Sequence, residues 1–378
     1  MFDPVNAAKT DVMQFEVEKC EDIDDIRQFL DKYSEYYLDW KAYINLLIEQ
    51  YGGFSVNSFA KRCGFSVNTV KKWCRAGDLP RSRKEFIKLS FGLNFNLDET
   101  NRLLQRYGKY HGLYAKNMED AICIFAIQNK LSYDEFEQIK QEIVNSIAEQ
   151  QTISEHAHFD AAELMNTDRA KTALIKIKQK DELENFLTAN LPTFKSAYNR
   201  LTDFIDSYVK VDNASSTLED DNASINSFLE EHIGQPRLVS SFNDFISNLR
   251  CHKVIPDKTK LVALGLYLNM TLADINVMLD MAGMEPLCAK DKLESVLIYA
   301  LNNIVLTNPD LEYSNAYFLD KYSNNPSVRE SCQKIMQDQY EVMLGETTDV
   351  DSVADYVRKQ ISNLNFDNES ELSQLLMV

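Results

Sequence analysis

The chain has 378 residues, enough for roughly two or three domains with cores, and its 44% hydrophobic and 26% charged content is ordinary for a globular protein. Only 11 glycines and 8 prolines argue against a turn-rich β-sandwich or barrel and in favour of long helices. The net charge of −18 is unevenly spread: residues 54–116 hold 13 basic and 4 acidic residues, a net +9, against −7 before them and −20 after them. Net charge says nothing of the fold, but a local reversal of sign speaks to partners.

The first residues, MFDPVNAAKTDVMQFEVEKCED, contain no apolar stretch of signal-peptide length, and no run of about 18 apolar residues follows anywhere. The seven cysteines are scattered, with no C-x-x-C pair. A cytoplasmic chain with reduced thiols and no membrane partner is expected.

Residues 1–21 form an N-terminal arm, and a first helical unit spans 22–130. Within it Trp40, Tyr43, Ile44, Leu47 and Ile48 recur at helical steps. Asn57 to Cys63 reads as a short helix carrying Phe59 and Ala60 inward. Gly64 follows, where a positive φ is cheap. Ser66 is placed to cap a second helix by accepting from the N–H of Thr69. That helix, Val67 to Arg75, should bury Val70, Trp73 and Cys74 and expose Asn68, Lys71, Lys72 and Arg75 before Gly77 and Pro80 stop it. Asn96 and Asn117 are N-caps of two further helices, with Asp120 at the third position of the latter.

A helical spacer at 131–178 contains His-Ala-His at 156–158, which reads as solvated linker rather than a metal site. A second unit spans 179–304, with a polar insertion, VDNASSTLEDDNA, at 211–223. An acidic helical tail completes the chain at 305–378. No period-two run long enough for a sheet occurs, so the fold class is all-α: two related helical bundles in tandem.

The relation is internal. Residues 93–127 and 268–301 share, with one single-residue gap, Leu93/Leu268, Asn94/Asn269, Asn101/Asn276, Gly108/Gly283, Leu113/Leu287 and Ala115/Ala289, among others. Upstream, SVNSF at 55–59 resembles SINSF at 224–228, and residues 27–51 match 184–208 in apolar spacing.

Two short helices joined at a glycine-bearing turn make a helix-turn-helix. Phe59-Ala60, Gly64, Ser66, Thr69-Val70, Trp73, Gly77 and Pro80 resemble the helix-turn-helix of the Cro/phage-repressor family over residues 37–100. Phe59 departs from the smaller aliphatic residue usual there, and Asn57-Ser58 stand where a Gln is usual. The resemblance implies a cytoplasmic, bacterial regulator binding duplex DNA with its second helix in the major groove. On that reading Asn68, Thr69, Lys71 and Lys72 meet base edges, and Asn57, Ser58, Lys61, Arg75, Arg81 and Arg83 hold phosphates.

The second copy has lost these cations. Lys61-Arg62 align with Glu230-Glu231, Lys71-Lys72 align with Ile246-Ser247, and the glycine turn is spoiled by QPRLVS near Ile233-Gly234. This unit is expected not to bind DNA but to serve assembly, as a homodimer contact or a site for a protein partner. No catalytic motif pairs a nucleophile with a base, and no cofactor or metal is expected. The alternative to a DNA-binding regulator is a non-catalytic adaptor using the same bundles.

Overall fold

The computed structural model describes residues 4–37, 39–151, 165, 167–195, 197–211, 236–304 and 353–364. Every regular element among them is helical: α1 (Pro4–Val17), α2 (Ile23–Lys32), α3 (Trp40–Gly52), α4 (Val56–Cys63), α5 (Val67–Ala76), α6 (Arg83–Leu93), α7 (Leu97–Arg102), α8 (Met118–Gln128), α9 (Tyr133–Gln151) and α10 (Thr167–Lys176). There follow α11 (Lys180–Ala189), α12 (Leu191–Lys195), α13 (Asn199–Val211), α14 (Pro236–Ser247), α15 (Lys258–Tyr267), α16 (Leu272–Met281), α17 (Lys292–Asn303) and α18 (Val353–Asn363), with short π-helical turns at Leu103–Tyr107 and Asn248–His252. The 224–228 match, Glu230-Glu231, Ile233-Gly234 and the His-Ala-His stretch lie outside the described residues.

The helix starts are set locally. Asp22, Asp39, Ser55, Ser66, Ser82, Asn96, Asn117, Asp257, Thr271 and Asp291 each turn a side-chain oxygen onto backbone N–H groups of the following turn. Each such cap satisfies donors that the helix itself leaves unpaired, typically worth about 1 kcal/mol.

The described residues pack into two compact units, one within 38–198 and one drawn from 1–37 and 199–378. These boundaries differ from those drawn on the sequence. Helix α2 packs with residues of the second stretch, and α9 to α11, assigned above to a spacer and to the second unit, pack on α8 in the central unit.

In the central unit α3, α4 and α5 pack against one another, and α6 packs on α4. Trp40 is the hub: its ring lies 6.2 Å from Trp73, 5.8 Å from Phe86 and 5.7 Å from Tyr107, and its Nε1 donates to the Asp78 carbonyl at 2.8 Å. Phe59, Trp73 and Phe86 are buried to 2% exposure or less, each stabilising by about 2–3 kcal/mol. Helix α6 crosses α4 closely at Gly92, where a Cβ would meet the Cys63 Cα at 2.5 Å.

The segments 82–128 and 257–303 carry the same local construction, one in each unit. Arg83 pairs with Asp120 at 2.8 Å, and Lys258 with Glu294 at 2.9 Å. Asn94 and Asn269 both adopt a left-handed conformation, φ 55° and 54°. Asn96 and Thr271 both form capping boxes. The side-chain oxygen of Asn101 accepts from the Leu113 N–H at 2.8 Å, as that of Asn276 does from Leu287 at 2.9 Å. Asp120 accepts from the Tyr114 N–H and Glu294 from the Cys288 N–H. Helix α9 packs on α8 and α6, as α18 packs on α17 and α15.

Candidate nucleic-acid interface

The basic segment is displayed by α4 and α5. Ser55 caps α4, leaving Asn57 and Ser58 exposed on its first turn and Lys61 exposed near its end. Gly64 takes φ 68°, which lets the Phe65 N–H reach back to the Ala60 carbonyl at 2.9 Å and ends α4. The Ser66 hydroxyl oxygen then accepts from the Thr69 N–H at 3.0 Å and fixes the start of α5.

One face of α5 is core: Val70, Trp73 and Cys74 are buried, as their spacing implied. Asn68, Lys72 and Arg75 are exposed on the other, and Lys71 is half-buried. Asn45 ties the end of the helix to α3 by donating from Nδ2 to the Cys74 carbonyl at 3.1 Å. Thr69 is half-buried and its hydroxyl is hydrogen-bonded to that of Ser66 at 2.8 Å, so this side chain is partly taken up by the cap.

The cations of the segment divide into two groups. Some have structural tasks. Arg62 donates through Nε to the Gly92 carbonyl at 2.9 Å and lies over the Tyr51 ring. Lys84 pairs with Glu137 at 3.0 Å, and Lys88 lies over Phe65. Arg83 belongs here too, which corrects its assignment as a phosphate contact. Its side chain is 18% exposed and pairs with Asp120, which is 1% exposed, while Nε and Nη2 donate to the carbonyls of His111 and Gly112. Burial works against the Arg83 charge, but the facing Asp120 carboxylate prevails and holds its pKa above the usual value.

Lys61, Lys71, Lys72, Arg75 and Arg81 form the second group: among the described residues none of these side chains makes an ion pair or lies over an aromatic ring. Four are exposed outright and Lys71 in part. They share the α4–α5 region with Asn57, Ser58 and Asn68 and with the N-terminus of α5, whose free N–H groups and dipole favour an anion.

The stretch of the other unit that aligns with α5 in sequence has a different surface. Helix α14 buries Phe242, Phe245 and Ile246, so the position aligned with Lys71 is core, and the aligned Ser247 is neutral. Arg250 there is engaged with Asp206.

Sequence reasoning missed the buried polar group beneath α6. His111 lies beside the Arg83–Asp120 pair, its Nδ1 2.9 Å from the Gly112 carbonyl and 3.6 Å from Asp120, and the Tyr198 ring packs against it. Burial first, and then the nearby Arg83 charge, lower the His111 pKa to about 4, so the ring is neutral at neutral pH. The signal was present in the sequence: continuing the repeat upstream pairs Arg83 with Lys258, a cation kept in both copies, where Lys61, Lys71 and Lys72 were kept in one.

Among the described residues no group of histidine, cysteine and carboxylate side chains is arranged to hold a metal ion, and no helix is long and apolar enough to cross a membrane. No protein-family model, curated protein or solved structure matches the chain.

Proposed function

We propose that the protein is a duplex-DNA-binding regulator that reads its target with α5 in the major groove. The observation that carries this reading is the set of five cations without structural partners, gathered on α4, α5 and the loop after it, in a chain of net charge −18. Cations exposed without partners contribute almost nothing to stability, and their mutual repulsion opposes folding. A phosphate backbone is the partner that makes them favourable.

Asn68 and Lys72 stand first among the base contacts. Lys71 reaches the groove from a half-buried stem. Thr69 joins them through the oxygen lone pair its cap leaves over. Lys61, Arg75 and Arg81 neutralise phosphates, with Asn57 and Ser58 donating to neighbouring oxygens. With Arg83 removed from the set, about three phosphates are neutralised, for a slope of log K against log salt of about −2.7. The second unit, which has Ile246 and Ser247 at the positions aligned with Lys71 and Lys72, has a part in assembly or control.

The test is fluorescence anisotropy with the full chain, first on random duplex and then on sequences enriched from a random pool. Wild type should bind with the salt dependence above, and the Lys71→Ala/Lys72→Glu double variant should lose enrichment and most of its affinity. Affinity that is independent of salt, or unchanged in the double variant, rules the reading out.

A further inference from the structure

Each unit is completed by the helices that lead into the other repeat. Helices α1 and α2, which lead into the first repeat, pack on α17, the last helix of the second. Helices α10 and α11, which lead into the second repeat, pack on α8, the last helix of the first. The two arms correspond at constant spacing. Met13, Val17, Ile26 and Leu30 are buried in one, and Ala170, Leu174, Leu183 and Leu187 are buried in the other. Both arms are fixed by the same hydrogen bond at the end of the receiving helix. Asn303 Nδ2 donates to the Cys20 carbonyl at 2.8 Å, and Asn129 Nδ2 donates to the Ile177 carbonyl at 3.3 Å. Each of these asparagines also bonds the carbonyl four residues earlier in its own helix.

An arm that packed on its own repeat would place Cys20 beside Asn129 and Ile177 beside Asn303. The opposite is found at both ends, with asparagine as the donor and the equivalent arm position supplying the accepting carbonyl each time. A loop-length accident could divert one arm, but reciprocal diversion onto equivalent sites is the signature of helix exchange between two copies of one module.

We infer that the chain is a single-chain counterpart of a helix-exchanged homodimer, in which each repeat's leading helices form the docking element for the other repeat's last helix. The partner that these receiving grooves fit is therefore a second copy of the module, and in this chain that copy is supplied covalently. The inference does not depend on what the basic face binds.

The experiment cuts the full chain once. A site-specific protease sequence placed between His156 and Ala157 divides it after α9, so that each fragment contributes an arm to the other's bundle. Exchange predicts that the cut protein elutes as one 1:1 species in native buffer and separates in denaturant. A covalent trap distinguishes exchanged arms from halves that merely adhere. With Asn303→Cys, mild oxidation should link residue 303 to the native Cys20 across the cut, giving one full-mass band on a non-reducing gel. With Asn129→Cys, where both thiols lie in the first fragment, Cys20 should not be captured and the two bands should remain. Separation of the halves in native buffer, or halves that stay together without the Asn303→Cys link, overturns the inference.

Discussion

The sharpest prediction concerns Arg83, which its charge marks as a ligand contact and its surroundings mark as structure. Replacing it with alanine leaves the Asp120 carboxylate, 1% exposed, with the Tyr114 N–H as its remaining donor. Removing one partner of a buried pair costs about 3–5 kcal/mol, because the other charge stays desolvated and uncompensated. That is a large share of the roughly 5–15 kcal/mol that holds a domain folded. The other unit supplies a natural control: Lys258 faces Glu294 at 2.9 Å and donates to the Pro286 carbonyl, as Arg83 does to that of Gly112. Arg83→Lys should therefore cost only about 1 kcal/mol, the loss of one carbonyl contact. Urea unfolding monitored by tryptophan emission reads this directly, since both tryptophans, Trp40 and Trp73, are buried in the central unit. Lys71→Ala and Lys72→Ala, as surface changes, should stay within about 0.5 kcal/mol of wild type. An Arg83→Ala cost below about 1 kcal/mol, or an Arg83→Lys cost equal to it, would refute the reasoning.

The buried His111 predicts a loss of stability in acid. Its folded pKa is lowered to about 4 from an unfolded value of about 6.5, so the unfolded chain binds the extra proton. Its contribution is whole above pH 6.5 and falls as the pH drops towards 4, by about 2 kcal/mol at pH 5. His111→Gln should remove that part of the pH dependence, and urea midpoints at pH 7 and 5 that shift equally in variant and wild type would contradict it. If the arms are exchanged and only one unit reads DNA, a single chain should suffice for one non-palindromic site. Analytical ultracentrifugation of the complex should then find one protein per duplex, and two proteins on a symmetric site would count against it.

Local features of the fold were legible because they are encoded locally. Ser66, Gly64, Gly77 and the trio Val70, Trp73 and Cys74 lie within a stretch of 14 residues, and the cap, the turns and the buried face follow from their spacing alone. The same holds for Asn96 and Asn117 as helix starts. Arg83 was misread for the opposite reason. A charge count cannot distinguish a cation with a partner from one without, and its partner lies on α8. The arms were misassigned because an amphipathic pattern such as Ile26, Phe29 and Leu30 states that a face must be covered without stating by what. The helix that covers it is nearly identical in pattern to the one that does not, so only packing decides between them.

The cysteines add a practical consequence. Cys20, Cys63, Cys74 and Cys123 are buried, and desolvation raises Cys20 to about 11 and Cys63 to about 12. Cys288 is half-buried, and burial raises it as well. Of the described thiols Cys251 alone is exposed, on the π turn that follows α14. A maleimide dye at neutral pH should react there first among them. Since that unit contains no tryptophan, the dye and the indoles would report on the two halves of the molecule in separate optical channels.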